Sequence, residues 1–388
     1  MSSPADRHAI RPEIDEARAG AVLTIDLDAI AANYRLLAGR LGDAVAAAVV
    51  KADAYGLGAE RVAPALAAAG CRTFFVATLD EGLRLRGILD DPGDAGHETS
   101  EIHVLNGIAA GPAADFEAGR LVPVLNGLGE ITAWRDHCRA RELALPCDVH
   151  VDTGMLRLGL PPDELRVLAD EPARLDGLDI RNVLSHLASA DEPECPKNAE
   201  QLQAFLDVRR VLPQGKASFA NSSGIFLGPD YHFDMARPGV ALYGGAPVPG
   251  ESNPMAQVII LQGKIAQVRA VDTPQTVGYG ATHRIEGPGR IATLAVGYAD
   301  GYLRSLSNRG TGYIGDIPVP VVGRVSMDLI TLDVSGVPED SCPVGGLVDL
   351  IGPHNPVDRI AAEAGTIAYE VLTSLGNRYH RVYTGGGA

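Results

Sequence analysis

From about residue 44 to residue 244, short apolar runs alternate with longer stretches in which apolar residues recur every three or four positions. The short runs, rich in β-branched residues, predict strands at 45–51, 73–78, 102–106, 121–126, 147–152, 181–187, 217–222 and 235–243. The longer stretches predict helices at 60–69, 80–89, 129–144, 163–169 and 199–212. Such alternation requires a parallel sheet with right-handed crossovers. Eight strands suggest a closed (β/α)₈ barrel, although an open doubly wound sheet has the same local pattern.

The two ends of the chain have a different pattern. Residues 28–42 predict a helix with Asp28 as its N-cap, after a strand at 22–27 that belongs either to the barrel or to a second domain. Residues 244–254 are rich in Gly, Pro and Ser and predict a linker. Beyond it, strands are predicted at 258–271, 290–296, 312–318, 319–325, 329–334 and 347–351, and a helix at 361–375. We therefore expect an α/β protein with an N-terminal (β/α)₈ TIM-type barrel at 12–250 and a C-terminal mainly-β domain at 251–388.

Composition narrows the classes of function. A hydrophobic content of 46% and a charged content of 21% are typical of a globular protein. The net charge of -16 argues against nucleic-acid and membrane partners, and no apolar run reaches the roughly 18 residues that span a bilayer. Residues 1–20 are polar, without the apolar core of a signal peptide. The five cysteines are scattered, which argues against disulfides and a metal site and predicts a cytoplasmic protein.

Several polar residues fall at the predicted carboxyl ends of barrel strands, where such barrels place their active sites. Lys51 ends an apolar run, so burial would favour the neutral amine that attacks an aldehyde. Arg157 follows a glycine turn and suits a carboxylate or phenolate oxygen, and Ser222 lies in a small-residue turn that suits an anion. His186 and Arg237 follow two further strands. Taken singly, each of these residues also fits an ordinary structural role.

Taken in order, these motifs resemble one family closely. The run Val50-Lys51-Ala52-Asp53-Ala54-Tyr55-Gly56 resembles the cofactor-lysine motif of the alanine racemases, which are fold-type III pyridoxal-phosphate enzymes. The resemblance continues through Asp152-Thr153-Gly154-Met155, Ser185-His186-Leu187-Ala188, Asn221-Ser222, Arg237-Pro238-Gly239, Val277-Gly278-Tyr279-Gly280, Val296-Gly297-Tyr298-Ala299-Asp300-Gly301, Val325-Ser326-Met327-Asp328 and Ala368-Tyr369-Glu370. It therefore covers nearly the whole chain after about residue 20.

The resemblance implies a two-base reaction on a small amino-acid substrate. Lys51 would carry pyridoxal 5′-phosphate as a Schiff base and act on one face of the α-carbon. Tyr279, reaching over from the partner subunit of a homodimer, would act on the other face. Removal of a proton from one face and delivery to the other interconverts L-alanine and D-alanine.

The resemblance also implies roles for the other site residues. The phosphate would be held by Tyr55, Ser222, Tyr369 and the backbone N–H groups of Gly239 and Val240, and Asn221 would also bind the cofactor. Arg237 would face the pyridine nitrogen with support from His186, and Arg157 would contact the phenolic oxygen. The substrate would meet Arg157, Tyr298, Met327 and Asp328. One position departs from the pattern, because His150 stands where many members have a carbamylated lysine that supports the arginine.

The sequence leaves three alternative functions open. A racemase of broader specificity, acting on serine or other small amino acids, would use the same residues. A fold-type III decarboxylase would need a cysteine-bearing motif late in the chain, which we do not find. A non-catalytic pyridoxal-phosphate carrier would need neither Tyr279 nor Met327. The sequence leaves open whether the reaction supplies D-alanine for peptidoglycan precursors or degrades it.

Overall fold

A computed structural model describes residues 14–90, 100–109 and 111–386. The predicted domain ends at residues 12–13 and 387–388, and most of the polar amino-terminal stretch, lie outside the described residues. Within the described part of the chain, no helix has the length and apolarity needed to cross a membrane.

The chain begins with strand β1 (Ala21–Asp26) and helix α1 (Leu27–Arg40). The prediction that Asp28 caps this helix is wrong. The cap is Asp26, whose Oδ1 accepts a hydrogen bond from the Ala29 backbone N–H at 2.9 Å. Asp28 lies in the first turn, where its negative charge is favourable beside the helix N-terminus.

The strands that follow form one parallel sheet. They are β2 (Val45–Ala46), β3 (Ala48–Val49), β4 (Thr73–Val76), β5 (Glu101–Val104), β6 (Val122–Leu125), β7 (Pro146–His150), β8 (Asp179–Leu184), β9 (Lys216–Ser218) and β10 (Met235–Ala236). Only Ala47 separates β2, which pairs with β10, from β3, which pairs with β4. The sheet therefore closes into a (β/α)₈ barrel, as predicted.

The helices of this region lie between the strands. They are α2 (Lys51–Tyr55), α3 (Ala59–Ala68), α4 (Leu79–Leu89), α5 (Ala113–Ala118), α6 (Leu128–Arg141), α7 (Pro162–Asp170) and α8 (Pro196–Val211). The sequence prediction missed α5, which is short.

The predicted barrel strands are all shorter in the structure, the last two by the most at their carboxyl ends. The strand predicted at 235–243 ends at Ala236, and Val240–Tyr243 forms a 3₁₀-helix instead. Pro238 has no N–H with which to continue the ladder. The strand predicted at 217–222 ends at Ser218. As a result, Ser222 and Arg237 lie in loops beyond the carboxyl ends of their strands.

The second domain contains β11 (Ile259–Val271), β12 (Gln275–Val277), β13 (His283–Ile285), β14 (Gly289–Leu294), β15 (Thr311–Ile314), β16 (Ile317–Pro320), β17 (Ile330–Asp333), β18 (Leu347–Ile351) and β19 (His380–Thr384). Strand β1 pairs with β11 and β19, so it belongs to this second sheet. The strands predicted at 312–318 and 319–325 are instead the hairpin β15–β16, which ends at Pro320. The helix predicted at 361–375 is two helices, α9 (Val357–Ala364) and α10 (Ala368–Ser374), because Gly365 leaves the helical conformation at φ 72°.

Candidate active site

Lys51 is the second residue after β3, and the turn that carries it is left-handed. Four consecutive non-glycine residues, Ala52 to Tyr55, have φ between 53° and 56°. This conformation costs L-residues about 1–2 kcal/mol each. Gly56 continues the turn at φ 83°, and a Cβ there would lie 2.6 Å from the Leu372 carbonyl oxygen of α10. Such concentrated strain is typical of a functional site that its surroundings hold in place.

Glu81 of α4 is one residue that holds this turn. Its Oε1 accepts a hydrogen bond from the Ala52 backbone N–H at 2.7 Å, and its Oε2 accepts one from Ala77 at 2.7 Å. Thr78 and Glu81 also form a capping box at the start of α4. Glu81 was not among the residues predicted from the sequence, although a Thr three residues before a Glu is the recognisable pattern of such a box.

We expect Glu81→Ala to destabilise the protein by about 1–3 kcal/mol, because three backbone N–H groups, those of Ala52, Ala77 and Thr78, lose a charged acceptor. Equilibrium unfolding in urea measures this difference. Asp80→Ala is the matched control, since Asp80 is an exposed acidic residue of the same first helical turn. Equal destabilisation by both substitutions would contradict a specific role of Glu81.

The Lys51 amine lies in a cavity shared by both domains. Burial, and then the positive charge of Arg157, lower the pKa of Lys51, while the carboxylate of Glu81 opposes this shift. The cavity has a volume of about 440 Å³, a size typical of small-molecule sites. Its lining residues are Lys51, Ala52, Tyr55, Thr366, Ile367, Tyr369, Glu370 and Thr373. A lysine with a lowered pKa in such a cavity can act as a nucleophile and as a base.

A second group of predicted residues lies together around Ser222. Ser222 Oγ accepts hydrogen bonds from the backbone N–H groups of Gly239 at 2.9 Å and Ala241 at 3.3 Å. A Cβ on Gly239 would lie 2.3 Å from Tyr55 Oη, so the position requires glycine. The Tyr55 ring also packs beside that of Tyr369, with centroids 5.8 Å apart. Hydroxyls and backbone N–H groups gathered in this way fit a phosphate monoester.

The backbone groups around Ser222 extend beyond the predicted ones. The second N–H directed at Ser222 belongs to Ala241, a residue that was not singled out from the sequence, and the role of Val240 at the phosphate stays a prediction. Asn221 shapes the turn, because its Oδ1 accepts a hydrogen bond from the Gly224 backbone N–H at 2.8 Å.

Arg237 is 4% exposed and lies beside His186. Its guanidinium donates to Ser218 Oγ and, at 2.5 Å, to the Ser185 carbonyl oxygen, and its Nη2 lies 3.5 Å from His186 Nδ1. Burial lowers the pKa of Arg237 to about 10, although the charge of Asp148 opposes this. Burial, followed by the charge of Arg237, lowers the pKa of His186 well below its usual range. The pair is thus a cation beside a neutral imidazole.

His150 is fixed as one tautomer by Asn126. The Asn126 amide donates both of its hydrogens to backbone carbonyl oxygens, those of Leu105 at 3.1 Å and Val124 at 2.9 Å. Its Oδ1 therefore faces His150 Nδ1 at 2.7 Å, and that nitrogen must carry the proton. Burial, and then the charges of Arg237 and Arg157, lower the pKa of His150 to about 3. The Nε2 atom is left as a neutral acceptor in a cationic part of the site.

We expect His150 to stay neutral, with its proton on Nδ1, across the range from about pH 5 to 8 in which histidines usually titrate. Nitrogen NMR of protein labelled at histidine distinguishes the two ring nitrogens. Asn126→Ala removes the acceptor that fixes the ring and should allow the other tautomer to appear. A His150 signal that titrates near neutral pH in the unsubstituted protein would contradict this description.

The predicted residues of the second domain lie on its surface. Tyr279, in the turn between β12 and β13, is 73% exposed, and Met327 is 54% exposed. Tyr298 is also exposed, and its backbone N–H donates to the Ser326 carbonyl oxygen at 3.0 Å. Asp328 accepts a hydrogen bond from Arg378 at 2.8 Å. The described chain thus brings Lys51, Tyr55 and Tyr369 together at the barrel mouth but leaves these four residues facing outward.

Arg157 is exposed at the barrel mouth, and within the described residues its guanidinium makes no hydrogen bond or ion pair. The loop before it is held by Asp152, whose Oδ1 accepts hydrogen bonds from the backbone N–H groups of Gly154 and Met155, each at 2.8 Å. The positive charge of Arg157 nevertheless lowers the pKa values of Lys51, His150 and His186. Arg157 is therefore placed to receive an anionic oxygen.

Two family models match the chain: the alanine racemase N-terminal domain over residues 25–247 and the alanine racemase C-terminal domain over residues 258–383. An alanine racemase of Rhodospirillum rubrum is 52% identical over 371 residues, which cover 95% of this chain and 97% of that protein. A catabolic alanine racemase of Mesorhizobium japonicum is 48% identical, covering 96% of each chain. The crystal structure of an alanine racemase from Bartonella henselae with covalently bound pyridoxal phosphate is 41% identical, with a TM-score of 0.89, and covers 94% of this chain and 100% of that chain.

Proposed function

Because this chain belongs to the alanine racemase family, we propose that it interconverts L-alanine and D-alanine with Lys51 and Tyr279 as the two acid/base groups. The observation that carries the proposal is Lys51 itself, a lysine with a lowered pKa in a cavity between the two domains. Lys51 would hold or move a proton on one face of the α-carbon, and Tyr279 on the other. The chain is thus a pyridoxal-phosphate-dependent isomerase.

The residues at the barrel mouth fit this cofactor. Tyr55, Ser222, Tyr369, Asn221 and the backbone around Gly239 and Val240 would hold its phosphate. When bound, the cofactor supplies an aldehyde for covalent attachment and a conjugated ring that withdraws electrons from the substrate α-carbon. Arg157 would bind the phenolic oxygen and contribute to binding of the substrate.

Arg237, with His186 beside it, would face the pyridine nitrogen. A guanidinium cannot readily give up a proton to that nitrogen, because it stays protonated over the working range of pH. The ring is then a weaker electron sink than it would be beside a carboxylate. Weaker delocalisation favours rapid return of a proton to the α-carbon, which is what racemisation needs, over transamination.

The exposed residues of the second domain support a homodimer. Tyr279, Tyr298 and Met327 form an outward-facing set of large side chains near Asp328, and exposed apolar groups of this kind mark interaction surfaces. In the proposed dimer, Tyr279 enters the active site of the partner, where Tyr298, Met327 and Asp328 meet the substrate. We also propose two domains that meet near residue 250 and a cytoplasmic location, which the five free cysteines support.

The proposal is tested by following the α-proton of L-alanine by NMR in D₂O with added pyridoxal phosphate. Loss of the α-proton signal together with formation of D-alanine is the expected result. Bound cofactor without exchange would contradict alanine as the substrate. Serine and larger amino acids are then tested in the same way, because the broader-specificity racemase uses the same residues.

A further inference from the structure

The interior of the barrel contains three buried polar side chains that the proposed reaction does not use. They are His103 of β5, Asp148 of β7 and Asn182 of β8. Asp148 Oδ2 lies 2.7 Å from His103 Nδ1, and Asp148 Oδ1 accepts a hydrogen bond from Asn182 at 2.7 Å. Barrels of this kind usually fill their interior with branched aliphatic side chains, and charges are costly there. This set, which we call the interior triad, therefore needs an explanation beyond packing.

The interior triad is connected to Arg237 through an aromatic ring. The imidazole of His103 stacks on the Phe75 ring, with centroids 4.6 Å apart. The guanidinium carbon of Arg237 lies 5.9 Å from the centroid of the same ring. Ser218 Oγ and the Ser185 carbonyl oxygen, which accept hydrogen bonds from Arg237, are both neutral. The charge of Arg237 is thus buried against the same Phe75 ring as His103 of the interior triad, and it is bound directly to neutral acceptors.

The charges around these groups are consistent with that connection. Asp148 is the carboxylate whose charge opposes the lowering of the Arg237 pKa by burial. His150 and His186 also face Arg237, and its charge lowers the pKa of both. Burial lowers the pKa of His103, but Asp148 and Glu101 outweigh it and raise that pKa to about 9. Glu101 in turn faces Arg181 and Lys216.

We propose that Asp148 is a positioning residue for the reaction, whose carboxylate supplies the buried negative charge that stabilises the Arg237 guanidinium against the pyridine ring. Asn182 orients this carboxylate. His103 pairs with Asp148 and offsets part of the negative charge of that carboxylate, which limits the electrostatic field that reaches Arg237. The inference rests on the proposed role of Arg237, and it adds an electrostatic support beneath the cofactor that the motifs of the sequence do not include.

The proposal predicts effects of opposite sign for two substitutions. Asp148→Asn removes the negative charge and should lower the alkaline pH midpoint of the visible absorption band of the pyridoxal-phosphate-loaded enzyme, by less than about one pH unit because it also removes the carboxylate that holds the proton on His103. His103→Gln leaves Asp148 charged without its cationic partner and should raise that midpoint. A purely structural role would move both midpoints in the same direction or in neither. Asn355→Ala is the control, because it removes a buried amide with two hydrogen bonds in the second domain.

Arg237→Gln separates this proposal from the proposed function. By itself it should change the absorption spectrum, and an unchanged spectrum would contradict the role of Arg237. In the Arg237→Gln background, Asp148→Asn and His103→Gln should no longer shift the midpoint. Shifts that persist in that background would overturn the proposal for Asp148 alone. If Asp148→Asn does not fold, as judged by circular dichroism, the sign of the His103→Gln shift and its dependence on Arg237 decide the question.

Discussion

Replacing Lys51 by alanine is expected to reduce exchange of the α-proton of alanine in D₂O by about 10⁴-fold or more, because one residue supplies both the covalent attachment and a base. Burial and the charge of Arg157 lower the pKa of Lys51, so its amine becomes neutral at a lower pH than the amine of an ordinary lysine. Proton NMR of the purified protein with added pyridoxal phosphate measures the exchange for both enantiomers.

Lys197→Ala is the matched control for this substitution. Lys197 is the second residue of α8, pairs with Glu200 at 3.6 Å and lies close to Gly154 in the loop that precedes Arg157. The Lys197→Ala substitution thus removes a lysine near the same barrel mouth, and Lys197 does not line the cavity. Exchange that continues at the original rate in Lys51→Ala would refute the assignment of Lys51. Equal losses in both variants would show that positive charge at the mouth matters more than one particular amine.

The fold follows from the sequence pattern because parallel barrel strands are apolar on both faces and their helices are amphipathic. The pattern is weakest where an element is short or a loop begins. The segment predicted as a strand at 235–243 is mainly apolar through Tyr243, yet the strand ends at Ala236, two residues before Pro238. The two strands of the β12–β13 hairpin have three residues each, too few to show the alternation of apolar and polar residues that identifies a strand. These short elements carry Tyr279 between them, so the least predictable segment holds one of the proposed catalytic groups.

The candidate site was predicted mainly through resemblance of its motifs, and what was missed lies outside them. His103 and Asp148 are 45 positions apart in the sequence, and they meet only because both side chains point into the interior of the same barrel. The available signal was a polar residue inside an apolar strand, as in Ile102-His103-Val104 and Cys147-Asp148-Val149. Such a residue does not reveal its partner, because hydrogen-bond partners between strands are set by the closure of the barrel.

Tyr279→Phe is expected to affect conversion and exchange differently. For one enantiomer, Lys51 can still remove the α-proton and return deuterium to the same face, so exchange continues while conversion falls by about 10²–10⁴-fold. For the other enantiomer, both exchange and conversion fall. Chiral separation of the products combined with NMR in D₂O measures both quantities. Equal loss of exchange for both enantiomers would contradict a role of Tyr279 on one face alone.

Mixing two inactive variants tests which subunit supplies Tyr279. If Tyr279 enters the partner's site, a dimer of one Lys51→Ala subunit and one Tyr279→Phe subunit contains one complete site and one site that lacks both residues. After equal amounts are unfolded and refolded together, random pairing should restore about one quarter of the original activity. The 73% exposure of Tyr279 within its own chain is what leads us to expect this recovery.

The control replaces the Tyr279→Phe partner by a chain that carries both substitutions, since no pairing with Lys51→Ala then yields a complete site. Differently tagged subunits show by affinity purification that mixed dimers have formed. Mixed dimers without activity would mean that each Tyr279 serves its own chain. The β12–β13 hairpin would then have to fold back onto its own barrel mouth, and the outward-facing surface around Met327 would need another explanation.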